Sequence, residues 1–544
     1  MTNQAIHYDR EFDVIIAGGG SAGCALAGRL SEESSISVCL LEAGGDGQGL
    51  LVRAPIGASA MLPTKIGNWA YETVPQKGLN GRKGYMPRGK MLGGSSGINA
   101  MIYIRGHHAD YDRWAETGCA GWGWADVLPY FLKSEHNEAH GGALHGKDGP
   151  LNVCDLRSDN PYQEIFLEAA RQAQFRINPD FNGEEQEGLG LYQVTQKNGE
   201  RWTAARAYLF PHLGQRANLA VETGAQTARI LFEGRRAVGV EFRQRGALRR
   251  FRARREVVLS AGAINSPQLL LLSGVGPAAD LKALGVEVTH DLPGVGANLR
   301  DHPDFIFGYH LNDPNLIGLS LKGSARMLKE IARWRKERRG AVASNFAEAG
   351  GFLKTQADLP YPDVQLHFVV AVVDDHARKQ HLGHGYSCHV CLLRPKSVGA
   401  LKLASANPFA APLIDPAFLD HPDDLETMVA GYKLTKRLLD SPPLASLGAR
   451  DMWTGAVKTD DDIRAILRRR VDTVYHPIGT CKMGVDSMAV VDPRLRVHGL
   501  DGLRVVDASI MPDLIGGNTN APSMMVGEKG ADMIKADFKA ALAA

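Results

Sequence analysis

A glycine-rich turn near the N-terminus carries the first residues whose spacing indicates chemistry. Gly18, Gly20 and Gly23 form the pattern Gly-x-Gly-x-x-Gly directly after the β-type run Phe12–Ala17. In this pattern Gly18 permits a tight turn, Gly20 lets the backbone approach a diphosphate at a helix N-terminus, and Gly23 allows close packing of helix on strand. The turn therefore predicts a binding site for a phosphorylated ligand.

The elements around this turn complete a dinucleotide-binding unit. Ala22, Leu26 and Leu30 recur at helical spacing, and the apolar run 36–41 predicts a second strand that ends at Glu42. Glu42 follows the last glycine at the interval where an acidic side chain accepts hydrogen bonds from a ribose hydroxyl group. The unit does not distinguish NAD from FAD, because both cofactors contain the same ADP half.

The composition excludes several classes of protein. The chain has 544 residues with 44% hydrophobic and 22% charged side chains, which is typical of globular domains. Its formal net charge of +2 provides no general positive field, so we expect no nucleic-acid partner. The seven cysteines have no repeated spacing, which predicts reduced thiols and no metal site.

The N-terminal region indicates where the protein is located. Acidic residues precede the first apolar run, and the basic start and small-residue cleavage site of a signal peptide are missing. No apolar stretch approaches the roughly 20 residues that span a bilayer. We therefore expect a cytoplasmic protein, at most peripheral on the inner face of the cell membrane.

Four further blocks of sequence are distinctive. They are the glycine-rich segments 89–99 and 262–276, the histidine segment 475–484, and the asparagine-containing segment 505–522. In this order they resemble the signatures of the glucose–methanol–choline (GMC) flavin oxidoreductases. Segments 68–71, 192–199 and 473–477 are similar to those of membrane-associated aliphatic alcohol dehydrogenases and choline-dehydrogenase-like enzymes.

The resemblance implies a fold of mixed α/β and α+β class with two discontinuous domains. The expected Rossmann-like FAD-binding domain comprises 1–157, 215–318 and 470–544, and the substrate-binding domain comprises 158–214 and 319–469. The second domain should contain an antiparallel sheet. Strand-like runs at 364–368 and 386–391 are compatible with that expectation.

The resemblance also implies the chemistry. Oxidation of an alcohol removes a hydroxyl proton and transfers a hydride, here to flavin N5. The matching base is His476, and its expected partner at the substrate oxygen is Asn520. Histidine has an ordinary pKa of about 6.5, and an asparagine amide can donate to a developing alkoxide. His302 also lies in a family-like stretch and is interpreted as structural.

Further cofactor contacts follow from the same resemblance. The residues expected to contact FAD or to close over it are Gly89, Gly93, Gly94, Asn99, Thr227, Asp507, Ala508 and Pro522. Ile98 occupies the position at which covalently flavinylated relatives carry a histidine. We therefore expect FAD to be bound without a covalent bond.

The predicted function is FAD-dependent oxidation of a primary alcohol to the aldehyde. Electrons would pass to a quinone or another carrier. Two alternatives stay open: an oxidase that reduces dioxygen to hydrogen peroxide, and a hydroxynitrile lyase on the same fold that performs no net redox reaction. The sequence does not identify the alcohol.

A basic segment near the middle of the chain raises the question of membrane contact. Residues 326–339 include seven basic and two acidic side chains, with Met327, Ile331 and Trp334 at helical spacing. Such a helix can pack as an ordinary charged surface helix, or it can dock peripherally on anionic lipid. Both interpretations remain open.

Overall fold

The first strand forms where β-branched residues follow one another, as the buried run Phe12–Ala17 predicts. We describe residues 7–543 in a computed structural model. The strands are β1 (Arg10–Ala17), β2 (Val38–Leu41), β3 (Tyr71–Glu72), β4 (Tyr85–Met86), β5 (Glu135–Asn137), β6 (Leu151–Val153), β7 (Gly188–Leu191), β8 (Gln196–Lys197), β9 (Glu200–Arg201), β10 (Leu219–Glu222), β11 (Ala225–Glu233), β12 (Arg236–Gln244), β13 (Ala247–Leu259), β14 (Val275–Gly276), β15 (His290–Asp291), β16 (Pro303–His310), β17 (Ala347–Leu353), β18 (Val364–Val369), β19 (Gly385–Leu392), β20 (Ala400–Lys402), β21 (Leu413–Asp415), β22 (Arg450–Asp451), β23 (Asp472–Thr473) and β24 (Leu503–Val505).

Helices cover both sheets. They are α1 (Ser21–Leu30), α2 (Leu50–Arg53), α3 (Ala58–Met61), α4 (His108–Glu116), α5 (Trp124–Ser134), α6 (Tyr162–Gln172), α7 (Ala204–Tyr208), α8 (Gly262–Leu272), α9 (Ala278–Ala283), α10 (Leu321–Glu337), α11 (Pro422–Leu439), α12 (Pro442–Ala445), α13 (Asp460–Arg470) and α14 (Asn520–Ala543). Among residues 7–543, no helix is both long enough and apolar enough to cross a bilayer.

The first sheet positions the glycine-rich turn. Its order is β10-β2-β1-β13-β12-β11, with β24 paired to β13. The four neighbours β10, β2, β1 and β13 are parallel, and β12 and β11 continue the sheet antiparallel. Gly18 and Glu42 follow β1 and β2 directly, so both lie at the carboxyl edge of the parallel strands, where sheets of this kind bind ligands.

The second sheet is antiparallel and has two different faces. Its order is β17-β18-β19-β16-β22, with β23 paired to β16. Because side chains alternate along a strand, Phe305, Phe307 and Phe368 fall on one face, in the core under α11. Gln365 and His367 fall on the other face. The two sheets confirm the predicted fold class.

The predicted domain boundaries need correction at two places. Strand β16 was expected in the FAD-binding domain, but it is a central strand of the second sheet and pairs with β19. Helix α7 was expected in the substrate-binding domain, but Ala204, Ala205 and Tyr208 lie in the core of the first sheet. In both places the element belongs to the domain against which its apolar face packs. Its distance along the sequence from the conserved-looking blocks does not decide this.

Candidate active site

The turn between β1 and α1 packs so closely against neighbouring backbone that two of its glycines leave no room for a side chain. Gly18 has a φ of +113°, and a Cβ there would lie 2.5 Å from the carbonyl oxygen of Ser260. A Cβ at Gly23 would lie 2.0 Å from the carbonyl oxygen of Gly18, so this glycine lets α1 pack against the turn. Gly18 and Gly20 line the large cavity of the protein, whereas Gly23 does not.

Glu42 faces the same cavity from the end of β2. Its carboxylate accepts hydrogen bonds from the backbone N–H groups of Gly19, at 3.0 Å, and Gly44, at 2.7 Å. Burial raises the pKa of Glu42 to about 7, and the N–H donors oppose that rise. Thr227 lines the cavity beside Gln226. These residues form the end of the cavity that fits the ribose and base of an ADP group.

The second glycine-rich segment closes directly onto the first. A Cβ at Gly94, where φ is +52°, would lie 2.7 Å from Cα of Gly20. Gly93 does not line the cavity, and its N–H instead donates to the carbonyl oxygen of Gly19 at 2.8 Å. Gly89, Gly94 and Asn99 do line it. The two segments therefore act as one cradle of close backbone contacts.

Of the remaining residues predicted to contact the cofactor, two line the cavity and one does not. Asp507 and Ala508 line the cavity, whereas Pro522 lies in the first turn of α14 and does not. The Asp507 carboxylate accepts hydrogen bonds from the backbone N–H of Gly262, at 2.8 Å, and the hydroxyl of Ser266, at 2.5 Å. The Asp507 side chain thus binds the start of α8. The backbone of Asp507 remains available to contact a ligand in the cavity.

His476 also lines this cavity, whose volume is about 530 Å³. Its backbone N–H donates to Asp301 at 2.8 Å, and only 7% of the residue is exposed. Nδ1 of His476 lies 2.9 Å from Nδ1 of His302. Nε2 of His302 in turn lies 3.0 Å from the carbonyl oxygen of Leu393 and 3.1 Å from that of Ile515.

These contacts determine which ring nitrogen of His476 carries the proton. Carbonyl oxygens only accept, so His302 carries its proton on Nε2 and has a bare Nδ1. The contact between the two Nδ1 atoms then requires the proton to belong to His476. Burial lowers the pKa of His302 to about 4 and that of His476 well below its usual value, so both rings are neutral. Nε2 of His476 is therefore unprotonated and can accept a hydrogen bond.

The structure corrects the predicted partner of His476 by two residues. Nδ2 of Asn518 lies 3.2 Å from Nε2 of His476. Asn520 is instead the first residue of α14, and its side-chain oxygen accepts a hydrogen bond from Ser21 at 2.7 Å, at the start of α1. Asn518 precedes the helix, and Gln365 donates to its side-chain oxygen at 3.1 Å. That contact directs the Asn518 amide N–H groups towards His476.

Four residues of this site were not selected from the sequence, and one pattern points to two of them. Gln365 and His367 alternate with buried apolar residues in β18, which is the pattern of a strand with one polar, ligand-facing side. His302 was interpreted as structural, yet it contacts His476 directly. The sequence does not distinguish Asn518 from Asn520 as the partner of His476, because both are asparagines of the same block.

Comparisons with known proteins identify the family. Sequence models of the GMC oxidoreductases match residues 12–304 and 395–527. Alcohol dehydrogenase (acceptor) of Pseudomonas putida is 47% identical over 527 residues, 96% of this chain and 95% of that protein. Human mitochondrial choline dehydrogenase is 44% identical over 538 residues, 96% and 90% of the two chains. The crystal structure of pyridoxine 4-oxidase from Mesorbium loti is 31% identical with a TM-score of 0.86, covering 96% and 99% of the two chains.

This chain therefore belongs to the GMC oxidoreductase family, as its sequence blocks predict. It is a flavoprotein oxidoreductase, and the residues of the cavity fit the FAD of that family. A Cβ at Gly18 or Gly94 would collide with neighbouring backbone, and Glu42 lines the cavity beside Gly18 and Gly20. His476 lines the same cavity as these residues.

Proposed function

We propose that this protein oxidises a primary alcohol to the aldehyde with FAD and passes the electrons to a quinone or another carrier. The observation that carries the proposal is the unprotonated Nε2 of His476 with the Asn518 amide 3.2 Å from it. The alcohol and choline dehydrogenases to which the chain is similar support an alcohol as the substrate.

The chain supplies the proton transfer and the binding of the hydroxyl group. The Asn518 N–H donates to the substrate oxygen, and Nε2 of His476 accepts the hydroxyl proton. As His476 becomes cationic, its Nδ1–H remains bonded to His302, which keeps the ring oriented. Burial of the ring excludes water as a competing proton acceptor. Bound FAD supplies the acceptor for the hydride of the carbinol carbon.

Anaerobic reduction of the flavin tests this mechanism. His476→Ala should retain FAD but be reduced by a primary alcohol at least about 100-fold more slowly than the wild type. His108→Gln, at an exposed position on α4, is the matched control and should be reduced at the normal rate. Reduction of the His476 variant at the wild-type rate would rule out the proposed base. A flavin band that no alcohol bleaches would instead favour the lyase.

The acceptor is tested separately. Pyridoxine 4-oxidase, a solved structure of similar fold, keeps the oxidase alternative open. A dehydrogenase should reduce a quinone analogue or dye rapidly and release little hydrogen peroxide in air. Stoichiometric peroxide formation at the rate of alcohol oxidation would establish the oxidase.

We also propose that FAD is bound without a covalent bond. Ile98 lines the cavity, is 2% exposed, and has no atom that can bond covalently to the flavin. Acid denaturation should therefore release the yellow cofactor into the supernatant. Colour that remains in the precipitated protein would contradict this proposal.

We propose peripheral membrane contact through the surface around α10. Trp334, Arg333 and Arg339 do not contribute, because Trp334 is 4% exposed and both arginines pair with Asp159. This modifies the interpretation of the basic segment 326–339. The contact instead involves exposed leucines at the start of α10 and beside the cavity mouth, together with nearby lysines. They are Leu319, Leu321, Leu328 and Leu382, with Lys322 and Lys329.

Sedimentation with vesicles tests this contact. Wild-type protein should bind vesicles of anionic lipid at low salt and not vesicles of zwitterionic lipid. Leu321→Ser combined with Leu382→Ser should weaken the binding, because these side chains are 93% and 84% exposed. Leu248→Ser, at a 60% exposed site on β13, is the control. Equal binding by all variants would show that these leucines do not contact the membrane. The cytoplasmic location of the protein stays a prediction.

A further inference from the structure

His476 lies in a bulge between two places where facing segments pair regularly. On one side, β23 pairs antiparallel with the start of β16. On the other side, Ile478 forms a bridge with Arg300. Between these pairs the segment 474–477 has more residues than the chain that faces it, and Tyr475 takes a φ of +77°. The surplus residues leave the ladder, as in a β-bulge, and bring His476 to the cavity.

A backbone that leaves a ladder needs other hydrogen-bond acceptors, and the Asp301 carboxylate supplies them here. Its Oδ1 accepts from the backbone N–H groups of His476 and His302, each at 2.8 Å. Its Oδ2 accepts from the hydroxyl of Thr473 at 2.5 Å. The Thr473 oxygen in turn accepts from the backbone N–H of Tyr475 at 2.6 Å. One carboxylate therefore connects the backbone of the bulge to the backbone that carries His302.

Asp301 acts from behind the site. It is 2% exposed and does not line the cavity, so it does not contact a substrate there. Burial raises the pKa of Asp301 to about 6, and the hydrogen bond from Thr473 opposes that rise. The contact of 2.9 Å between the two Nδ1 atoms of His302 and His476 depends on the relative position of the two backbones. Hydrogen bonds tolerate changes of only a few tenths of an ångström, so a shift of either backbone breaks this contact.

From these contacts, and on the basis of the proposed role of His476 as the base, we infer that Asp301 is a positioning residue for that base. Its carboxylate holds the bulge so that the His476 ring stays bonded to His302 and directs Nε2 to the hydroxyl group of the substrate. Thr473 extends the same function to the residue before His476. Because Asp301 does not contact the alcohol, it contributes to the rate of proton removal and not to the affinity for the substrate.

Anaerobic flavin reduction at about pH 8, where the Asp301 carboxyl is ionised, tests this role. In Asp301→Ala the limiting rate constant at saturating alcohol should fall at least about 30-fold, because misplacement of a reacting group by about 1 Å is costly. The apparent Kd for the alcohol should change by less than about 3-fold, since the variant loses no contact with the substrate.

Asp424→Ala is the matched control. Asp424 is also 2% exposed, and its carboxylate accepts from the backbone N–H groups of Lys396 and Ser397 at 2.7 and 2.9 Å. It does not line the cavity. This variant should lower Tm, because it also leaves buried N–H groups without an acceptor, but it should be reduced at the wild-type rate.

A double variant distinguishes positioning from a general loss of stability. Asp301→Ala combined with His476→Ala should be reduced within about 2-fold of the rate of His476→Ala alone, because Asp301 acts through a ring that is then absent. Independent effects would instead multiply.

The outcomes separate this inference from the proposed function. Reduction of Asp301→Ala at the wild-type rate, or effects that multiply in the double variant, overturns the positioning role. Reduction of His476→Ala at the wild-type rate overturns the proposed base instead.

FAD content and Tm monitor the folding of each variant. Should Asp301→Ala not retain FAD, Thr473→Val and Thr473→Ser are compared. The valine variant keeps the shape and loses the hydroxyl, so it should be reduced at least about 3-fold more slowly than the serine variant, which keeps the hydroxyl. Equal rates in these two variants would overturn the inference.

Discussion

At the scale of single residues, the reactivity of His476 depends on what each of its nitrogens contacts. Two carbonyl oxygens determine which nitrogen of His302 carries its proton. His302 in turn determines the proton position on His476. Nε2 of His476 is then unprotonated and faces the Asn518 amide. A neutral base with one available nitrogen needs no further adjustment before it accepts a proton. Gln365 has the corresponding role for the Asn518 amide.

Separate replacement of Asn518 and Asn520 distinguishes a contact with the substrate oxygen from a contact that supports the glycine turn. Asn518→Ala should retain FAD and slow flavin reduction about 100-fold, because it removes a hydrogen-bond donor to the developing alkoxide. Asn520→Ala loses the contact with Ser21 beside the glycine turn, so it should weaken FAD retention more than the rate of the bound fraction. The measurements are the ratio of FAD to protein and stopped-flow reduction. The opposite pattern would restore Asn520 as the partner of His476.

The protonation of His476 has a kinetic consequence. Burial, together with the nearby charge of Arg88, lowers its pKa well below the usual 6.5. Activity requires the neutral ring, so kcat/KM should stay level as the pH falls through 6.5 and decline only at lower pH. A pH profile of anaerobic flavin reduction measures this. An acid limb centred at or above about pH 6.5 would contradict it.

At the scale of elements, two glycine-rich segments far apart in sequence form one surface. Gly20 begins the turn into α1, and Gly94 approaches its Cα so closely that a Cβ would lie at 2.7 Å. The cradle therefore tolerates no side chain at this contact. Strands β18 and β19 face it with alternating polar residues, and their other side is buried in an apolar core.

A matched pair of glycine substitutions tests the cradle. Gly94→Ala and Gly81→Ala both place a side chain at positive φ, with values of +52° and +76°, so both carry a similar backbone cost of about 1 kcal/mol. A Cβ at Gly81 meets nothing within 4 Å. Only Gly94→Ala should therefore lower the FAD content of purified protein. Equal FAD content in both variants would mean that the contact is unimportant.

At the scale of the whole molecule, the cavity joins the two sheets. The glycine turn and Glu42 belong to the first sheet, and His367 and His389 belong to the second. Neither sheet alone encloses the site, so a ligand that fills the cavity contacts both. Binding of FAD is therefore coupled to the stability of the complete fold.

This coupling predicts a cofactor-dependent stability. Free FAD at 100 times its Kd should stabilise the folded protein by about 2.7 kcal/mol, because it binds the folded state and not the unfolded chain. Tm should therefore rise with FAD concentration in a thermal-shift experiment on cofactor-depleted protein. ADP, which fills only the first end of the cavity, should give a smaller rise. A Tm independent of FAD would contradict the coupling.

The dinucleotide-binding unit and the family could be predicted from the sequence alone. The role of His476 stays a prediction. The strand, turn and helix around Gly18 lie within one short segment, so their pattern depends on local backbone geometry alone. The polar alternation in β18 is local in the same sense, since successive side chains of a strand point to opposite faces.

Which groups meet at the site could not be predicted from the sequence, because it depends on how separate segments pack together. Asn518 and Asn520 are equivalent in the sequence pattern, and the start of α14 turns one towards Ser21 while the other faces His476. The contact of His302 with His476 joins residues 174 positions apart. Hydrogen bonds depend on distances of a few tenths of an ångström between atoms of separate segments, and the order of residues along a chain does not specify such distances.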